Sequence, residues 1–186
     1  MLPNIFLDFL NKSSLSDLDF LPPSNEAAIK NLLLPSSVVD KFMTIAKNGA
    51  GCLLCLWKNG DDIVLDEDLP VVWIDSEGFP KSVFAPNIAS AVSLFPYGSG
   101  FVYDVISAWE YHLQDSKSYK IPTKRFTKRT VKSYLKDATQ FEEDYQRLLQ
   151  FNAQHGIETC PDPVALIGNA IQTFPKLSEW LKEQKT

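Results

Sequence analysis

The sequence predicts an α+β fold, a small antiparallel sheet with helices packed on it, and three observations carry that prediction. Short β-branched and aromatic runs separated by turn signals fill residues 51–85. Helical periodicity takes over from Asn87 onward. A chain of 186 residues, 45% hydrophobic and 22% charged, has enough apolar material to bury one core without disulfide or metal staples. The whole chain, 1–186, reads as a single domain.

Taken in order, the elements follow from local chemistry. The stretch "MLPNIFLDFLNKSS" reads as a short amphipathic helix, since Asp8 interrupts it and neither a basic leader nor a small-residue cleavage site accompanies it. Ser24 or Asn25 is placed to cap a helix through "EAAIKNLLL", with Glu26 in its first turn and Pro35 as its stop. Ser36 or Ser37 then caps a second helix, "VVDKFMTIAKNG", whose Val38, Val39, Phe42, Met43 and Ala46 fall at helical spacing and whose exit is Gly49 in a left-handed conformation. The run "GCLLCLW" is apolar on both alternating sets of positions, as a central strand covered on two faces must be. Asn59-Gly60 predicts a hairpin turn to a partner strand over 63–65. "VVWI" and "KSVFA" predict two more strands around the turn Asp75-Ser76-Glu77-Gly78. Asn87 caps "IASAVSLF", "PYGSG" breaks the chain, and "FVYDVISAWEYHL" resumes a helix. The periodicity of Val131, Leu135, Ala138, Phe141, Tyr145, Leu148 and Leu149 predicts a long helix from Thr127 to about Gln154, ended by Gly156. Asp162-Pro163 opens "VALIGNAIQTF", and "KLSEWLKEQK" follows Pro175.

Charge is divided unevenly. Residues 1–116 hold 15 acidic and 6 basic side chains, a net of −9, while 117–186 hold 8 and 12, a net of +4, giving the −5 of the whole. An acidic body thus carries a basic segment, and the acidic total disfavours nucleic acid as the main partner. Three cysteines, Cys52, Cys55 and Cys160, are an odd count that points away from a disulfide framework and towards a reducing, cytoplasmic setting. The longest apolar run, Ala50 to Trp57, is strand-sized, so no membrane span is expected.

Few motifs carry chemistry. Asp75 and Glu77 stand two apart, but glycosidase chemistry needs carboxylates on opposite sides of a substrate with separated pKa values, and an exposed bend does not provide that. Cys52 and Cys55 have metal-pair spacing, yet three residues apart on a strand they point to opposite faces, as two core cysteines would. His155 and Cys160 sit close in sequence without a recognisable nucleophile motif. Gly98 and Gly100 lack the lysine and spacing of a phosphate loop. No cofactor or metal is implied. The stretch 117–136 holds eight Lys/Arg and no acid, interleaved with Tyr119, Phe126 and Tyr134. Within it Lys124, Lys128, Lys132 and Lys136 recur four apart on one helical face. A solvated helix face docked on the acidic body is the simpler account.

Three pieces in order, "LPSSVVDKFMTIAKNG" (34–49), "GCLLCLW" (51–57) and "LPVVWIDSEGFPKSVFAPNIASAVSLF" (69–95), resemble the SUKH superfamily. That superfamily includes the fungal cell-wall-assembly regulator domain and many bacterial toxin-immunity proteins. Leu34-Pro35, Asn48-Gly49, Pro70-Val71-Val72-Trp73 and Glu77-Gly78 carry the resemblance. It implies a SUKH-like core over 24–113, with 117–186 as a helical C-terminal elaboration, and a binding module without catalysis. The role so implied is an immunity protein that binds and blocks a cognate toxin, such as a nuclease. The carboxylates Asp61, Asp62, Asp66, Glu67, Asp68, Asp75 and Glu77 are then the expected partner surface, complementary to a basic cleft. Two other classes stand beside this one: a nucleic-acid-associated protein using 117–136, and a small hydrolase using Cys160 or the Asp75/Glu77 pair.

Overall fold

A computed structural model describes residues 18–24, 36–60, 68–77, 81–120, 131–136 and 142–184. Five strands form one antiparallel sheet in which spatial order follows chain order: β1 (Leu18–Ser24), β2 (Phe42–Asn48), β3 (Leu53–Trp57), β4 (Val71–Ile74) and β5 (Lys81–Ala85). Helices α1 (Ile88–Leu94), α2 (Ser99–Gln114), α3 (Glu142–Gln154), α4 (Pro163–Thr173) and α5 (Leu177–Glu183) follow, with residues 131–136 also helical. The fold is α+β, and among the described residues no helix is long and apolar enough to cross a membrane.

One expectation is corrected at the start of the sheet. Ser24 ends β1 and pairs with Thr44, while the helix it is expected to cap lies outside the described residues. The segment read as a helix from Ser36 to Gly49 is instead a 3-10 turn, Ser36–Lys41, followed by β2. The physical reason is burial on two sides. Phe42 to Ala46 are all buried, and a helix would have turned Thr44 and Ile45 away from the core that the other positions seek. The left-handed glycine is Gly51, at φ 83°, rather than Gly49. Asn48 builds that turn, its Oδ1 accepting the N–H of Ala50 at 3.1 Å and of Cys52 at 2.9 Å. Among the described residues the sheet begins at Leu18. The helix over 26–34, the strand over 63–65 and the N-terminal helix lie outside the described residues. So does part of the long helix expected over 127–154. The neighbours of β3 are β2 and β4.

Both faces of the sheet are covered. On one, Cys52, Leu54, Leu56, Trp73 and Phe84 pack beneath α1, α2 and α3, with Val164, Ile167 and Ile171 of α4. On the other, Leu53, Cys55, Trp57, Val72 and Ile74 meet Val38, Val39, Ala170 of α4, and Leu177 and Leu181 of α5. Cys52 and Cys55 thus point to opposite faces, as a strand requires. α4 lies along β5 and contributes to both cores. Asp162 caps it by accepting the N–H of Ala165, and Pro163 sits in its first turn. Gly168 of α4 lets α2 approach: a Cβ there would stand 2.3 Å from the Trp109 ring, whose Nε1 donates to the Val164 carbonyl at 3.1 Å.

Candidate functional site

The turn after β4 separates its two carboxylates. Asp75 is buried, at 6% exposure, and Glu77 is exposed. The Asp75 Oδ1 accepts the Glu77 N–H at 2.8 Å, which closes the turn, and Oδ2 accepts the Cys52 thiol at 3.3 Å. The expectation of an exposed bend therefore fails for Asp75 and stands for Glu77. The cause is the register: Leu53 pairs with Ile74, so Cys52 and Asp75 come next on the adjacent strands and meet side by side. Burial, first, pushes the Cys52 thiol up, and the acceptor carboxylate adds to it. Above this pair α2 lays Tyr103, whose hydroxyl is also raised by burial and then by the Asp75 charge. The Trp73 ring lies 6.3 Å from that of Tyr103, and its buried indole N–H has no hydrogen-bond partner among the described residues. On the next strand Ser82 donates to Glu110 of α2.

Of the acidic surface expected from the sequence, Asp68, Asp75 and Glu77 are among the described residues. The connector holding Asp61, Asp62, Asp66 and Glu67, which lie outside the described residues, leaves β3 at Trp57 and returns at Pro70, where the Trp57 N–H donates to the Pro70 carbonyl at 3.0 Å. Asp68, exposed, stands at that end of β4; Glu77 stands beyond the other end, past Ile74. Four strand residues, roughly 13 Å of chain, separate the two ends. Asp75 faces inward and is no part of an outer surface.

The cysteines are not poised for nucleophilic chemistry. Burial pushes the Cys55 thiol up to about 12, against a weaker lowering by its contact with Thr44. Burial likewise raises Cys160, whose N–H donates to the Ser93 carbonyl and whose carbonyl accepts the Tyr97 hydroxyl at 2.6 Å. A reactive thiol needs the opposite shift. His155 packs its ring on Phe151 at 4.5 Å. Among the described residues, no group of three or more His, Cys, Asp and Glu is placed to hold a metal.

A third region escaped the sequence analysis. At the end of α2, Asp115 accepts the N–H groups of Lys117 at 3.1 Å and Ser118 at 3.2 Å and folds the chain back. Those bonds, the Ser118 side chain foremost, hold the Asp115 carboxyl below its ordinary range. The returning loop is fixed by His112 Nδ1 against the Tyr119 carbonyl at 2.7 Å. Tyr119 thereby stacks on Tyr111, centroids 5.2 Å apart and planes 23° from parallel, with 48% and 42% of the two residues exposed. No sequence pattern pairs residues eight apart across a turn, so only Tyr119, inside the basic stretch, drew notice. Of the basic face, Lys132 and Lys136 are exposed on the helical residues 131–136. Lys124 and Lys128 lie outside the described residues. Tyr134 anchors this helix to α2, its hydroxyl donating to Asp104 and its ring meeting Phe101 edge-on at 5.4 Å.

Comparison with protein-family models, with curated proteins and with solved structures finds no match to this chain in any of the three, and the reading of its function therefore rests on its own residues.

Proposed function

We propose that the chain is a non-catalytic protein-binding module that seizes and blocks a toxin or effector, as its resemblance to the SUKH superfamily implies. The observation that carries the reading is the division of labour at the Asp75–Glu77 turn. The first carboxylate is consumed inside the protein, holding the turn and the Cys52 thiol, while the second is presented to water. The turn therefore offers a charge to a partner without a second free carboxylate for acid–base work. The three raised thiols favour the same conclusion over a cysteine hydrolase.

Within this reading the partner-facing acids are those of the 61–68 connector, of which Asp68 stands at one end of β4, with Glu77 a separate point beyond the other end. A basic cleft of nuclease type is the complementary surface, and its encounter with the connector is steered by charge. Co-expression with toxin domains encoded beside this chain tests the proposal: restored growth together with a purified one-to-one complex is the expected result. A chain that hydrolyses substrate by itself, with activity lost in Cys160→Ala or Glu77→Gln, would sink it.

A further inference from the structure

The outer face of α2 gathers features that the toxin-binding reading leaves unused. Asp104 and Tyr111 are seven residues apart and so share one face of the helix, separated by about 10 Å of rise. Over Asp104 sits the helical segment 131–136, held by Tyr134 and carrying exposed Lys132. Over Tyr111 sits the ring of Tyr119, with exposed Lys117 and Lys120 on either side of it in the chain. An exposed aromatic stack and exposed lysines thus belong to the same stretch of α2 and the segments that return over it. None of Lys117, Lys120 and Lys132 makes an ion pair among the described residues.

The acids of this stretch each hold a hydrogen bond and keep their negative charge beside the lysines, so the stacked rings carry the recognition and the lysines add to it. Asp104 accepts from Tyr134, Asp115 accepts from the backbone of its own turn, and Glu110 accepts from Ser82. The rings are not a core fragment either, since Tyr111 and Tyr119 are the large hydrophobic side chains that remain exposed among the described residues. A pair of tyrosines set on a turn pinned by three hydrogen bonds is a preformed platform, so a flat ligand group meets little ordering cost there. Flat faces spaced with positive charges match a polymer that alternates bases with phosphates.

We propose that this face of α2, through the Tyr111–Tyr119 stack and the lysines beside it, binds single-stranded nucleic acid. Bases stack on the exposed tyrosine faces while Lys117, Lys120 and Lys132 neutralise neighbouring phosphates. Stacking is indifferent to base identity, so the site tolerates any sequence, with preference set by backbone flexibility. This activity is independent of the toxin-binding reading and stands or falls without it.

Fluorescence anisotropy with a labelled oligothymidylate of about a dozen nucleotides tests the proposal on the full chain. Three phosphate contacts predict a slope of about −2 in log affinity against log salt, hence a loss of about twentyfold between roughly 50 and 200 mM. Tyr111→Ala and Tyr119→Ala should each weaken binding by about tenfold at unchanged melting temperature. The double variant Tyr111→Phe/Tyr119→Phe, which keeps the rings and loses the hydroxyls, should bind as the parent does. Absence of binding at low salt, or binding that survives both alanine substitutions in a folded protein, overturns the proposal. So does loss of a protein partner on Tyr119→Ala when the oligonucleotide never binds, which would assign the platform to protein docking.

Discussion

Asp75 shows how much of a site a sequence can hide. Its neighbours announce a turn, and the turn is there, but whether a carboxylate at a strand end faces water depends on what the adjacent strand places beside it. Here that is Cys52, fixed by the pairing of Leu53 with Ile74, and no local pattern encodes a cross-strand register. The burial of Trp73 and of both strand cysteines was legible, because a run apolar on both alternating sets leaves a strand no exposed face. Removing the acid by Asp75→Ala strands the Glu77 N–H and the Cys52 thiol, and should cost about 1–3 kcal/mol in urea unfolding. Glu77→Gln, at an exposed position, should change stability by less than about 0.5 kcal/mol. Equal losses in the two variants would contradict the inward role of Asp75. The thiols add a pH dependence. Cys55 titrates at about 12 in the fold against an ordinary 9.0, so between those values the unfolded chain releases the proton first and stability declines as pH rises. Urea midpoints should hold steady up to about pH 8.5 and fall above it, less steeply in Cys55→Ala. A disulfide-exchange reagent at neutral pH should label Cys52, Cys55 and Cys160 only after denaturation; rapid native labelling of Cys52 would mean the Asp75 turn opens.

Among the elements, what was legible and what was not divide along one line. Caps read correctly because their chemistry is local: Asn87 accepts the Ser90 N–H at 2.8 Å to start α1, and Asp162 with Pro163 starts α4. Strand β2 did not, since "VVDKFMTIAKNG" satisfies helical spacing and only the presence of β1 and β3 on its two sides makes the extended form the better burial. Strand β1 was missed for a related reason. Pro22 and Pro23 argue against a strand in general, yet they fall where the pairing of β1 with β2 is interrupted, between Phe20 and Ser24, so the ladder asks no N–H of them. Helix contact also hangs on a residue that no periodicity marks. Gly168 is where α4 receives the Trp109 ring, so Gly168→Ala must push ring or helix aside and should cost about 1–3 kcal/mol despite the better helix propensity of alanine. Thermal melting checks this. A stabilised Gly168→Ala protein would show that the ring moves away at no cost.

At the scale of the whole molecule, charge and topology set the remaining expectations. If the connector after β3 is the toxin-facing surface, reversing Asp61, Asp62 and Asp66 to Lys should slow association markedly at low salt and leave stability nearly unchanged, because the field acts over a Debye length of about 8 Å at physiological strength. Reversing Lys117, Lys120 and Lys132 should spare that association. The converse outcome, measured by stopped-flow binding, would move the protein interface to α2. Topology speaks to how the chain reaches this state. Each strand pairs with the one next to it in sequence, so the sheet can zip up through short closures. The contact between Trp109 and Val164, however, spans 55 residues, and α4 is what seals both layers along β5. The costly step in time is then the late return of α4 to the sheet, and the rate at which this protein matures is set less by its strands than by how soon one helix finds its seat.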